Sequence, residues 1–218
     1  MDSIFDAIEQ EVKSLFSSDS TGHDFLHLKR VFNLALVIQE KEGGNRLVIG
    51  ASALVHDVHR LIQDETKEYC QPKDSLPKVK QILEKARFPQ ELIPKVLHCV
   101  EFHEEYGFTK EGKTVSDIET LILQDADNLD AIGAIGIART FSFGASHKVP
   151  FWVPEKPFDR TNFDESEKDP STIHHFYSKL LKLKDNFSTA TAKNMALKRH
   201  KFMESFLKQF FAEWTGRT

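Results

Sequence analysis

The chain has 218 residues, of which 40% are hydrophobic and 28% charged. That content suffices for one self-supporting core and excludes disorder or a collagen-like repeat as the main state. With 29 Lys and Arg against 33 Asp and Glu the net charge is −4, so no general positive field exists to attract a nucleic acid polymer, whereas a local basic pocket for one phosphate-bearing ligand remains compatible. Cys70 and Cys99 are too few for a disulfide framework, and the first residues, Met1 to Asp6, are acidic where a secretory leader is basic. No apolar run is long enough to span a bilayer. A cytoplasmic protein without membrane contact is expected.

Apolar residues at Ile4, Phe5, Ile8, Val12, Leu15 and Phe16 predict a first helix over that stretch. Ser17 to Gly22 is a break. A second helix is expected from near Asp24 to about Glu42, with His27, Val31, Leu34, Ala35 and Ile38 on one face and Gly43-Gly44 ending it. The stripe Val48, Ala51, Leu54, Val55 and Val58 predicts a third, from Arg46 to about Gln63. Pro72 and Pro77 bracket a loop. A short helix from Lys78 to Ala86 stops at Phe88-Pro89, and another from Glu91 to Glu105 admits Pro94 in its first turn. Tyr106 to Lys113 is a loop. Val115 to about Phe141 forms one long helical segment, with Gly133 and Gly136 inside it as close-packing positions. Phe143 to Pro170 is expected to be a long loop, the kind that often carries function. Thr172 to Trp214 forms two helices broken near Asn186 to Thr189. No strand alternation of useful length appears, so the class is all-α.

Polar residues in apolar settings mark the candidate site. His27 lies on the apolar stripe of its helix. His56 and Asp57 interrupt the run Ala53-Leu54-Val55-His56-Asp57-Val58. Asp125, Asp127 and Asp130 follow Leu121-Ile122-Leu123. One histidine on an apolar face is an ordinary core residue, but unpaired carboxylates in such surroundings cost several kcal/mol. Helices that each present such groups are jointly explained by a divalent cation, which offsets carboxylate charge and coordinates imidazole. On a continuous helix His56 and Asp57 would point about 100° apart, so an ion would sit between them over the helix surface.

The order His27, then His56-Asp57, then a distal Asp resembles the H…HD…D pattern of HD-domain metal-dependent phosphohydrolases. Gly22-His23-Asp24-Phe25-Leu26-His27-Leu28-Lys29-Arg30-Val31 resembles the GHDxxHxxRV opening of their small bacterial YpgQ/YedJ-like branch. The block DADNLDAIGAIGIARTF, Asp125 to Phe141, is similar to that branch's DADRLDAIGAIGIARTF. The tail Ser171-Thr172-Ile173-His174-His175-Phe176, with Lys179 to Leu183 and Arg199, matches as well. Coverage runs from about residue 20 to 214, and Asn128 departs from the usual Arg.

The resemblance implies a single compact HD-domain helical bundle over residues 1–218, with the C-terminal helices from about 171 packed on the core. It implies His27, His56, Asp57 and Asp127 as metal ligands, Asp127 being preferred to Asp125 because it stands directly before x-L. His23 and Asp125 would lie just behind these ligands. Two imidazoles and two carboxylates leave two octahedral positions open, which suits Mn²⁺ first, with Mg²⁺, Co²⁺, Ni²⁺ or Fe²⁺ as alternatives. Asp57 and His103 are the expected catalytic residues, and Arg30, His59, Arg60 and Lys179 the substrate-binding ones. His174 and His175 are either substrate-loop contacts or helix-start residues. The implied reaction is attack of activated water on phosphorus in a small-molecule nucleotide, converting (deoxy)nucleoside triphosphates to monophosphate and pyrophosphate. The alternatives are a 5′-nucleotidase-type phosphomonoesterase and a non-catalytic nucleotide-binding HD module. The stripe Phe202, Phe206, Phe210 and Phe211 is either core or the face of a homodimer.

Overall fold

The computed structural model describes residues 3–16, 24–109, 114–156 and 169–217. The expected break at Ser17 to Gly22 lies outside them. Among the described residues all regular structure is helical, and no helix is long and apolar enough to cross a membrane.

Helix α1 (Ser3–Leu15) buries Phe5, Ile8 and Val12 and packs on α3 and α5. Helix α2 (Phe25–Glu42) starts after Asp24, whose side chain accepts the His27 N–H at 2.8 Å, and closes at Gly43, φ 87. It packs against both α3 and α7. Helix α3 (Arg46–Val55) is capped by Asn45 and buries every residue from Val48 to Val55, so it forms the centre of the bundle.

The single helix expected from Arg46 to Gln63 is in fact two. Helix α3 stops at Val55, His56 and Asp57 form a turn, and α4 runs Val58–Thr66. The turn contains no glycine or proline. His56 Nδ1 donates back to the Ala53 carbonyl at 2.9 Å, and Asp57 leaves helical geometry at ψ 13. His56 itself keeps helical geometry, φ −61 and ψ −37, so the break falls after Asp57 and redirects α4.

The stretch between Pro72 and Pro77 is a 3₁₀ turn, Pro72–Ser75, running into α5 (Leu76–Lys85), whose first turn accepts Pro77. After a second 3₁₀ turn, Gln90–Leu92, α6 covers Ile93–Glu101 and ends short of the expected Glu105.

The long helix expected from Val115 to Phe141 also divides, into α7 (Ile118–Asp130) and α8 (Gly133–Ser146). Gly133 sits at φ +79, a left-handed conformation costly for any residue with a Cβ. At Gly136 a Cβ would fall 2.1 Å from the Ala131 carbonyl oxygen, so the corner closes only on glycine. Because α8 continues to Ser146, the loop expected from Phe143 begins later.

The C-terminal part opens with α9 (Thr172–His175), a wide π turn Phe176–Leu180 and a 3₁₀ turn Lys182–Asp185. Helix α10 (Ala190–Trp214) is capped by Thr189 and packs on α8, α7 and α2. Asp125 secures this junction from α7: its carboxylate accepts the Ser188 N–H at 2.9 Å and the Thr189 N–H at 2.7 Å. One buried apolar cluster runs from Phe5 to Leu207. Of the phenylalanine stripe, Phe206 packs on Phe141 and Phe176 and Phe211 on Trp152, while Phe202 is 53% exposed.

Candidate metal centre

Three chain segments meet beside α3. Asp24, as the cap of α2, places His27 in the first turn, facing the core. The turn after α3 delivers His56 and Asp57, and the Asp57 carboxylate does not cap α4. The last turns of α7 deliver Asp127. His27 Nε2 lies 3.2 Å from His56 Nε2, 3.3 Å from Asp57 Oδ2 and 3.5 Å from Asp127 Oδ1. His56 Nε2 lies 3.7 Å from Asp57 Oδ1 and 3.8 Å from Asp127 Oδ1. His27 and His56 are fully buried.

The outer ring nitrogens fix the inner ones. His27 Nδ1 faces Asp130 Oδ2 at 2.8 Å, and His56 Nδ1 faces the Ala53 carbonyl. An ionised carboxylate and a carbonyl only accept, which assigns the proton to Nδ1 in both rings and leaves Nε2 as a lone pair. Two lone pairs then face each other across 3.2 Å beside two carboxylates. Only a positive species stabilises that arrangement, a proton or a metal ion. Without a metal, the proton settles on one ring. Burial pushes His56 down to about 4. For His27, burial and the Arg139 charge work against protonation, but hydrogen bonds to Asp130 and Asp57 outweigh them and raise it. The donor set, two buried imidazole nitrogens, the buried Asp57 carboxylate and the partly exposed Asp127 carboxylate, fits a divalent transition ion with coordination positions left over.

Asp130 supports the centre from behind. It binds Arg30 through both oxygens, at 2.8 and 3.0 Å, and accepts from Arg139 at 2.9 Å. Burial opposes its ionisation, yet its bonds to His27 and Arg30 and the Arg139 charge hold the carboxyl well below the usual range. On the other flank, Glu104 pairs with Arg60 and stands 3.6 Å from His59 Nε2. Against the cost of burial, Arg60 and His59 keep it ionised. The rings of His27, His56, His103 and His59 form a contiguous row, with successive centroids 5.2, 5.1 and 5.5 Å apart.

Thus His27, His56, Asp57 and Asp127 converge, and His103 and His59 adjoin them. Asp125, two residues before Asp127 on the same helix, holds the start of α10. Arg30 and Arg60 are engaged by Asp130 and Glu104. Lys179 stands 4.5 Å over the Tyr106 ring, on the loop just beyond His103. His23 lies outside the described residues. His174 and His175 are both hydrogen-bonded near the start of α9, to Ser171 and Lys156 and to Asp169. Sequence reasoning noted Asp130 without giving it a role, and it missed Glu104 and Arg139. The one available signal was that Asp130 follows Asp127 by three positions on the same helix.

The HD domain family profile matches residues 25–132. The uncharacterised protein YpgQ of Bacillus subtilis is 33% identical over 94% of this chain and 91% of its own length. The chain belongs to the HD domain family. Among solved structures, YpgQ in complex with ADP superposes with a TM-score of 0.74 at 31% identity, covering 96% of this chain and 94% of that one. A Bacillus thuringiensis protein described as an HD-superfamily hydrolase gives 0.71 at 35% identity, covering 98% and 97%. A Lactobacillus plantarum protein gives 0.82 at 29%, covering 99% and 98%.

Proposed function

We propose that this protein is a divalent-metal-dependent phosphohydrolase of small-molecule nucleotides, with Mn²⁺ as the ion, converting (deoxy)nucleoside triphosphates to monophosphate and pyrophosphate. The observation that carries the reading is that each of the two inward imidazole nitrogens lies 3.2 to 3.8 Å from the other and from an oxygen of both Asp57 and Asp127. The ADP bound to YpgQ and the hydrolase description of the Bacillus thuringiensis relative support it.

A bound divalent ion supplies Lewis acidity, which lowers the pKa of water and polarises a phosphoryl oxygen. The protein does the rest. His27, His56, Asp57 and Asp127 hold the ion. Asp130 keeps His27 in the tautomer that leaves Nε2 available. His103 turns an Nε2 lone pair to the same side as Asp57 and is placed to act on the attacking water. Arg30, Arg60 and Lys179 are the cations proposed to meet the phosphate chain. His59, buried on the same flank 3.6 Å from Glu104, is proposed to join them.

The test is turnover of a dNTP panel by purified protein with Mn²⁺, resolving pyrophosphate from orthophosphate. Pyrophosphate with the matching monophosphate supports the reading. Orthophosphate from dAMP with no pyrophosphate from dATP would make the protein a 5′-nucleotidase. No turnover with any divalent metal would make it a binding module. Asp57→Ala should cost about 10³-fold or more in kcat with an unchanged circular dichroism spectrum.

A further inference from the structure

More positive charge gathers on Asp130 than one carboxylate can balance. Arg30 binds both of its oxygens, Arg139 binds Oδ2 at 2.9 Å, and the charge of Arg199 bears on it as well. With the His27 Nδ1–H, the donors already fill the lone pairs of the carboxylate. Arg199 arrives from α10. Its Nη1 donates to the Leu129 carbonyl, and its stem lies against Gly133, where a Cβ would stand 3.0 Å from it. A guanidinium carries five N–H donors. Arg139 and Arg199 therefore keep most of theirs without an acceptor among the described residues. Three partly buried guanidiniums around one carboxylate repel one another. Burial works against the Arg199 charge, and the shared Asp130 supports it. An anion with several oxygens would offset the excess and take up the idle donors.

The excess lies beside the open side of the metal centre. His27 and His56 are closed off and the Asp57 side chain is 4% exposed, whereas that of Asp127 is 21% exposed, so solvent reaches the centre past Asp127. Asp130 follows Asp127 on the same face of α7, about 5 Å along the axis. The Arg30 and Arg139 side chains gathered on it are themselves partly exposed. We propose that Arg139 and Arg199, with Arg30, form the subsite for the two terminal phosphates of a nucleoside triphosphate, the part that leaves as pyrophosphate. The inference rests on the nucleotide reading above and deepens it. In the step, the water oxygen bonds to the α-phosphorus and the bridging P–O bond breaks. The bridging oxygen departs on pyrophosphate with that electron pair, and the protons of the water pass to the two product phosphates. The guanidiniums offset the charge that develops on the departing group. A monophosphate has nothing to place among them, so the subsite selects the triphosphate.

Metal-stripped full-length protein is titrated calorimetrically with inorganic pyrophosphate and, separately, with orthophosphate. Pyrophosphate should bind the wild type about tenfold or more tightly than orthophosphate. Arg199→Met keeps the stem on Gly133 and removes the charge, and Arg139→Gln leaves Arg30 on Asp130. Each should weaken pyrophosphate about tenfold or more, with orthophosphate little changed and the wild-type circular dichroism kept. Arg199→Lys should recover part of the loss, which a packing role for the stem alone would not require. Pyrophosphate that fails to bind the wild type, or that binds it and both variants alike, overturns the subsite whatever the turnover assay shows. Arginine-dependent pyrophosphate binding in a protein that turns over no dNTP overturns the reaction and leaves the anion site standing.

Discussion

Asp130 accepts the Nδ1–H of His27 at 2.8 Å while its oxygens also bind Arg30 and Arg139. One carboxylate thus fixes the tautomer of a proposed ligand and ties α2 to α7 and α8. Asp130→Asn keeps the shape but removes the charge that the two guanidiniums and the imidazole share. It should weaken Mn²⁺ binding by about 10–100-fold. It should also lower unfolding stability by about 2 kcal/mol. Metal titration and urea denaturation on the same preparation check both figures.

Asp125 and Asp127 are separated by what each faces. Asp125→Asn exchanges a charged acceptor for a neutral one at the Ser188 and Thr189 N–H groups. It should cost about 2 kcal/mol in stability with Mn²⁺ affinity little changed. Asp127→Asn should do the reverse, losing the metal with little change in the urea midpoint. If the metal loss follows Asp125 instead, the ligand assignment is inverted.

Metal binding should be proton-linked, with a sign set by His27. Its protonation is raised above the ordinary value in the metal-free protein, whereas His56, pushed down to about 4, is already neutral. Below the raised His27 value, an arriving ion must displace one proton. The dissociation constant should therefore rise about tenfold for each unit the pH falls in that range, and level off above it. Calorimetric titration with Mn²⁺ in buffers of different ionisation enthalpy counts the protons released. A constant that is flat from pH 6 to pH 8, with no proton release, contradicts this account.

The corner between α7 and α8 should tolerate substitution unequally. Gly133→Ala places a Cβ at φ +79 and 3.0 Å from the Arg199 side chain, a strain of about 1–2 kcal/mol. Gly136→Ala drives a Cβ into the Ala131 carbonyl, which is backbone and cannot turn aside. It should cost upwards of about 3 kcal/mol. Thermal melts of the two variants give the order.

Where apolar spacing alone decides an element, sequence and structure agree: α1 and α2 fall within a residue of the expected ends. The failures share a cause. Nothing local marks the turn at His56-Asp57, because neither residue has a turn preference strong enough to interrupt an apolar stripe. The turn shows itself only once His56 is seen bonding to Ala53 and meeting His27. Gly133 was visible but reads equally well as a helix interior, since its φ is set by how α8 must leave α7. In the site, His27, His56, Asp57 and Asp127 were legible through family resemblance. Asp130 and Glu104 were not: their roles depend on partners about 100 and 44 positions away in the chain.

The grip of Asp125 on residues 188 and 189 gives the C-terminal third a stake in the chemistry. The helix that carries Asp127 leans, two residues earlier, on backbone amides contributed by a segment far beyond the stretch that the family profile covers. Cut away, that segment would take with it the two amides that the Asp125 carboxylate holds. A fragment trimmed to the shared family region should thus purify, if at all, as a loosened chain with poor hold on metal, and complementation by the missing piece in trans would restore order and ion capture together.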